Sequence, residues 1–416
     1  MMTSKPLYVY LQRPDNAEWV TAGRYLFDAV SKIGKFRYAP SYITAGLPWP
    51  IDPVNLLLLP DFDYIAPRYG GLHDVLRDAS PDAWGKLLLK REHALPDHAH
   101  ESRYLALASN VDRWGALAIG TSRQPPASRI MSPKPPDLEA LTRELLAIAE
   151  HRPTTDAGLR RRLVATPSLG GARPKATIRS GQDFWLVKPR LATDTIDVPL
   201  LEHMAQQWGS LIGLNFARSE LHRLTDGWSV IRILRFDRDG EQRHMAVSGA
   251  TLLQTEYPSG KLDQASHWSY PRLAEELRRI GAPDSDRVEL FGRMVFNAVI
   301  GNDDDHPKNH AVIYDHQART WRLSPAFDVV PNPDQTPDYL TLQVSLGSNR
   351  IERGALLGDA KRFSFKSTED GAAYLDALLA RIASTYPVVA PLLPAELQHM
   401  MQQRIASNIR LLATPD

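Results

Sequence analysis

The 416-residue chain contains no cysteine. That absence excludes disulfides, thiolate zinc sites and a cysteine nucleophile, and it fits a reducing compartment. An excess of charge of one sign is also lacking, since 49 Lys and Arg face 48 Asp and Glu for a formal net charge of +1. Such balance argues against wholesale coating of nucleic acid and against an acidic tail. No run approaches the ~18 apolar residues of a membrane span. The opening MMTSKPLYVYLQRPD turns polar too soon for a signal-peptide core. A cytoplasmic protein with no membrane contact is expected. What is present is ordinary for a globular chain, with 43% hydrophobic and 23% charged residues, and the length suits two or three subdomains. The 32 prolines make many connections irregular and confine helices to a few windows.

The densest polar stretch is GNDDDHPKNHAVIYD, residues 301–315. Before it, Val288, Phe291, Val295 and Val299 recur three and four apart, which predicts a helix with one buried face. Gly301-Asn302 would stop that helix, and Ala311-Val312-Ile313 resumes as a strand. A loop of acids and amides between a buried helix and a buried strand is a natural place for chemistry. Asp304 and Asn309 stand in the pattern D-x-x-x-x-N, the spacing of a base and a metal ligand in phosphoryl-transfer loops. Asp328, in SPAFDVV (324–330), follows a hairpin predicted over 311–323 that would return it towards Asn309. A second carboxylate is what a Mg²⁺ bridging nucleotide phosphates requires.

Along the rest of the chain, strands are expected at 7–11 and 19–27 around a turn at 14–18. LLLLP (56–60) reads as a buried strand. Residues 71–92 read as two helices, the second opening near Asp82, and 109–120 as a turn with a short apolar run. A proline-rich boundary at 122–136 precedes a helix at 137–150 capped by Asp137. The glycine-bearing TPSLGGARPKATIR (166–179) leads to the strand DFWLVKPR (183–190). Lys188 there is either a snorkelling strand-end charge or a lysine for nucleotide phosphates. Glu202, on a helix at 200–214, is either its ion-pair partner or a solvated acid. Strands follow at 220–224, 228–237 and 242–247. Helices dominate from 269 onward and close the chain at 371–385 and 393–413. Trp84 and Trp185 read as core.

Several of these pieces, in order, resemble the HipA family of serine/threonine-protein kinase toxins. DASPDAWGKLLL (78–89) resembles its D-x-x-PDxWG signature and SNVDRWGAL (109–117) its D-R-x-GAL stretch. SLGGARPK (168–175) is similar to the S-x-x-GA-x-x-K loop, WLVKP (185–189) to the phosphate-lysine strand and RFDR (235–238) to the hinge. NDDDHPKNH (302–310) resembles the D-x-H-x-x-N catalytic loop and SPAFDV (324–329) the metal-binding motif. The resemblance implies an α+β, bilobal protein-kinase-like fold with a β-rich N-terminal subdomain and a mainly helical C-terminal lobe. The implied divisions are 1–125 for that subdomain, 126–245 for a linker helix and the N-lobe, and 246–416 for the C-lobe.

The same resemblance implies ATP and Mg²⁺ as cofactors. Asp304 would be the catalytic base, with Asp303 and Asp305 as neighbours whose charge is solvated or shared. His306 is carried over with the catalytic loop, and it either acts in proton transfer or braces the loop. Asn309 and Asp328 would bind the metal, and Lys188 the phosphates. Ser168, Gly170 and Gly171 would form the loop over the nucleotide, with Ser168 the residue that autophosphorylates. Leu234, Phe236 and Asp237 would meet the adenine at the hinge. A protein substrate is implied, aminoacyl-tRNA synthetases being the family's best-known class. So is a HipB-like DNA-binding antitoxin, through which alone the chain would meet DNA. Arg173 stands where glutamine is frequent, and 244–261 matches the better-known members poorly. Three rivals are a small-molecule phosphotransferase, a non-catalytic scaffold for a DNA-bound repressor, and a metal-dependent hydrolase using His306 and His310.

Overall fold

A computed structural model describes residues 5–66, 68–125, 137–153, 156–165, 171–257 and 267–413. The chain forms two compact units, Met1–Pro189 with Leu234–Val247, and Arg190–Ile233 with Ser248–Asp416. The fold is α+β, rich in strands towards the N-terminus and mainly helical towards the C-terminus.

The first unit opens on a five-stranded antiparallel sheet. From one edge to the other its strands are Tyr64–Ala66, Ile33–Tyr38, Trp19–Asp28, Leu7–Gln12 and Leu117–Gly120. Alternation puts Tyr25, Phe27, Phe36 and Tyr38 into the core, as expected of strands with one buried face, whereas Val9, Tyr10 and Leu11 are buried in succession. LLLLP is not a strand. Leu56 makes only an isolated bridge to Asp52, while Leu57 and Leu59 are exposed. Pro53 and Pro60 flank the run and withhold the donors a ladder needs. Helix Ala83–Glu92 opens at Asp82, whose carboxylate accepts from Gly85 N, and helix Leu138–Ala149 opens at Asp137 in the same manner. Strands Ala176–Ser180 and Asp183–Pro189 form a hairpin with Ala176 opposite Val187. Trp84 and Trp185 are buried.

In the second unit, helix Asp284–Ile300 is the axis of the core. It is more deeply set than a one-faced helix, because every residue from Leu290 to Ile300 is buried. Phe296 meets Trp208 and Phe216 edge-on, and Phe291 meets Phe363 and Phe365. Such a helix end needs partners for its last carbonyls. The closing helix Ala395–Ala413 supplies them, with Arg404 donating to Ile300 O and Asn408 to Ala298 O and Val299 O. At the other end, Asp286 accepts from Leu323 N at 2.7 Å and from the Arg322 guanidinium at 2.8 Å. That ties the helix to the hairpin of Ala311–Asp315 and Thr320–Leu323. Glu202, on helix Val198–Leu211, is buried and not a solvated acid.

Candidate active site

The acid-rich loop begins where helix Asp284–Ile300 stops. Gly301 caps it with φ +73°, a left-handed conformation that side chains with a Cβ resist. The backbone then turns under two constraints. Asn332 N donates to Gly301 O at 2.8 Å, and the Thr341 hydroxyl donates to Asp303 O at 2.5 Å.

The three consecutive aspartates have three different surroundings. Asp303 accepts from the Asn332 amide through both oxygens, at 3.1 and 3.0 Å. Asp305 is neither solvated nor shared, because it is buried. It accepts from Thr341 N at 2.7 Å, yet burial outweighs that bond and pushes the carboxyl up to about 7. Only Asp304 turns outward, with 75% of its side chain exposed. Its carboxyl is pushed up to about 6 by partial desolvation, then by the charges of Asp328 and Asp303. With so much of the side chain in water, the neighbouring carboxylates are the weightier cause.

Asn309 lies in the 3₁₀ turn Pro307–Asn309. Its amide nitrogen donates to Asp304 O at 2.7 Å, which holds the loop closed and leaves the amide oxygen out of that bond. Asp328 is positioned by a strand-like bridge. Ala217 N donates to Ala326 O and Ala326 N to Asn215 O, and two residues on Asp328 has φ +57°. A non-glycine residue at such a φ is uncommon, and aspartate is among the types that adopt it more readily. The charge of Asp328 reaches Asp304, Tyr257 and His306. The structure therefore brings Asp304, Asn309 and Asp328 to one neighbourhood.

His306 is buried enough that its imidazole is pushed down to about 4 despite Asp328. It is neutral at pH 7, so its 3.8 Å approach to Asp304 is not an ion pair. His310, fully desolvated, is pushed down to about 3. The two histidines flank a 3₁₀ turn and do not share a helical face. Among the described residues no group of three or more His, Cys, Asp and Glu is placed to hold a metal ion. Mg²⁺ is a hard cation that takes one or two carboxylates and fills its remaining positions with water and phosphate oxygens. An all-oxygen pair, the Asn309 amide and the Asp328 carboxylate, fits that ion.

The sequence patterns missed Tyr257 and Asn332. Tyr257 stacks on His306 with ring centroids 3.7 Å apart, and desolvation, then the charge of Asp304, push its hydroxyl up to about 12. Nothing in TEYPSG signals this, since the contact spans about 47 residues of chain without periodicity.

The remaining candidates lie in the first unit. Lys188 is buried at the end of strand Asp183–Pro189. Gly171 has φ +96°, and a Cβ there would come within 2.9 Å of Lys175 Nζ. Lys175 is itself paired with Asp82 at 3.5 Å. Ser168 and Gly170 lie outside the described residues. Leu234 and Phe236 are half-buried. Asp237 has both oxygens engaged, by Arg235 at 2.9 and 2.8 Å, Arg238 at 2.7 Å and Gly115 N at 2.8 Å. Burial would raise its pKa, but the two guanidiniums outweigh it and hold the carboxyl well below the usual range. That network fixes the carboxylate between the two arginines.

A model of the HipA-like C-terminal domain matches residues 167–388, more than half of the chain. The Sinorhizobium fredii protein named "Putative kinase Y4mE" is 26% identical over 234 residues, 49% of this chain and 55% of that protein. "Putative kinase Y4dM" of the same organism is 31% identical over 135 residues, 32% of this chain and 30% of that protein. The matches thus span about half of these relatives' length, or less. Among solved structures, a chain of the Shewanella oneidensis toxin–antitoxin complex of HipA, HipB and operator DNA superposes with a TM-score of 0.68. That likeness covers 98% of this chain and 96% of the other at 17% identity, and it speaks to the fold. The extent of the domain match, with a loop and an Asp328 arranged as described, shows that the chain belongs to the HipA-like C-terminal domain family.

Proposed function

We propose that this chain is an ATP- and Mg²⁺-dependent serine/threonine-protein kinase, the toxin of a HipBA-like toxin–antitoxin pair. The observation that carries the reading is the mutual charge of Asp304 and Asp328, with Asn309 bonded to the main chain of Asp304. Asn309 and Asp328 would hold the cation, which when bound neutralises charge on the nucleotide phosphates. Asp304 accepts the proton of a protein hydroxyl as the γ-phosphoryl group transfers to that oxygen. Its raised pKa makes it a better acceptor than an ordinary aspartate while leaving it mostly ionised at pH 7. Lys188 would hold the phosphates, the backbone about Leu234 and Phe236 the adenine, and Gly170 and Gly171 the loop over the nucleotide. His306, neutral and stacked, acts as a brace and not as a proton carrier.

A HipB-like antitoxin is the proposed partner, and contact with DNA would run through it. The substrate is proposed to be a protein, with aminoacyl-tRNA synthetases the first class to examine. Ser168 is the proposed site of autophosphorylation. A phosphoserine there would add about −1.5 to −2 charge to a loop meant to lie over another polyanion, and so would switch the kinase off. Incubating the full chain with ATP and Mg²⁺ and mapping phosphate by mass spectrometry tests this. Phosphate on Ser168 is expected, and a chain that takes up none on any residue contradicts autophosphorylation.

A further inference from the structure

A side chain as exposed as that of Asp304 is aimed mainly by its own backbone. The direction of its Cβ follows from the two rigid peptide planes that flank its Cα. Both of those planes are pinned. The Asn309 amide holds the plane that follows, through Asp304 O at 2.7 Å. The Thr341 hydroxyl holds the plane that precedes, through Asp303 O at 2.5 Å. Thr341 lies 38 residues further along the chain than Asp303 and is itself tethered in place. Its amide donates to Asp305 Oδ1 at 2.7 Å, and the Leu342 amide approaches the same oxygen at 3.4 Å. Leu340, Leu342 and Val344 around it are fully buried, and Asp305 is buried as well. One half-buried threonine thus grips the residues on both sides of the proposed base.

We propose that Thr341 is a positioning residue for Asp304, its hydroxyl fixing the peptide ahead of the base so that the carboxylate faces the acceptor hydroxyl. This rests on the kinase reading above and deepens it. With 75% of the Asp304 side chain exposed, packing contributes little to its orientation and the backbone restraint decides it. Misplacing a catalytic group by about 1 Å costs up to about 100-fold in rate, whereas one neutral hydrogen bond adds little to overall stability. The hydroxyl is separable from the rest of the residue. Valine keeps the shape and the backbone amide that Asp305 accepts, and loses only the hydroxyl. Serine keeps the hydroxyl and loses only the methyl group.

The test compares wild type, Thr341→Val, Thr341→Ser and Asp304→Asn, with [γ-³²P]ATP, Mg²⁺ and the full chain as its own acceptor. Thr341→Val should lower the maximal rate by roughly ten-fold or more. The half-saturating ATP concentration should not change, and the melting temperature should stay within a few degrees of wild type. Thr341→Ser should restore most of the rate. On the Asp304→Asn background, adding Thr341→Val should change nothing further. Independently of turnover, a crystal structure of Thr341→Val should show the 303–304 peptide turned or the Asp304 side chain in more than one position. A Thr341→Val chain with the wild-type rate, beside an inactive Asp304→Asn, overturns the positioning role and leaves the kinase reading standing. A loss of rate that serine does not rescue assigns Thr341 to general packing and overturns the role as well. Full activity in Asp304→Asn overturns the reading and the inference together. An unmoved Asp304 in the Thr341→Val crystal overturns the inference even if no acceptor is phosphorylated.

Discussion

The side-chain amide of Asn309 donates to the main-chain carbonyl of Asp304 at 2.7 Å, so two residues five apart close the loop between them. The same amide is the proposed metal ligand through its oxygen. Replacing it therefore separates two contributions. Asn309→Ala should abolish Mg²⁺-dependent transfer while costing only about 1 kcal/mol of stability, the net value of one neutral hydrogen bond. Asn309→Asp keeps an oxygen for the cation but sets a carboxylate against the Asp304 carbonyl. It should retain more activity than alanine at high Mg²⁺ and melt lower than wild type. Thermal melts and a Mg²⁺ titration of the rate measure both.

Gly249 shows how tightly the loop is held. Its amide donates to His310 O at 2.7 Å, and a Cβ on it would stand 2.7 Å from Pro307 O and 3.2 Å from His310 Cβ. In an open helix Gly→Ala stabilises by up to about 1 kcal/mol, whereas overpacking against fixed backbone costs about 1–3 kcal/mol. The clash is with a carbonyl and not a flexible side chain, so the steric cost prevails. Gly249→Ala should melt several degrees lower and lose most transfer activity, as read by calorimetry and by the phosphorylation rate.

The hinge network predicts a large effect. Asp237 is buried among Arg235 and Arg238, and removing one partner leaves uncompensated buried charge, which costs about 3–5 kcal/mol. Asp237→Ala should be strongly destabilised in urea unfolding of the full chain. A variant as stable as wild type would mean that solvent reaches these arginines.

The loop also sets a dependence of stability on pH. His306 and His310 have folded pKa values of about 4 and about 3, below the unfolded value near 6.5. The unfolded chain thus binds protons first as pH falls, and stability from these groups is present above about 6.5 and lost towards 4 and 3. Asp305 runs the other way. Its folded value of about 7 lies above the unfolded one near 3.9, so its contribution is present at low pH and lost as pH rises through 7. Asp305→Asn should therefore melt higher than wild type at pH 8, with the difference shrinking by pH 5. His310→Asn should flatten the acid side. Melting curves from pH 4 to 8 measure both.

Much of this site was legible because local pattern and chemistry coincide there. The apolar repeat before Gly301, the D-x-x-x-x-N spacing and the hairpin before Asp328 are all short-range signals, and each corresponds to an element of the structure. LLLLP misled because a leucine run carries no period, and its flanking prolines decide against a ladder. Asp303, Asp304 and Asp305 are one residue type in a row. Which of them turns inward depends on backbone contacts with Asn332 and Thr341 that lie far along the chain. Tyr257 and Glu202 were misjudged or missed for the same reason, since burial and stacking are properties of the packed core and not of spacing.

The most direct test of the central claim is the rate of phosphoryl transfer from [γ-³²P]ATP by Asp328→Asn, with melting temperature as the check on folding. If Asp304 and Asp328 share one cation-dependent site, a folded Asp328→Asn should lose at least about 100-fold in rate, as expected when a metal ligand for phosphoryl transfer is removed. A folded Asp328→Asn that transfers phosphate at the wild-type rate would contradict the account.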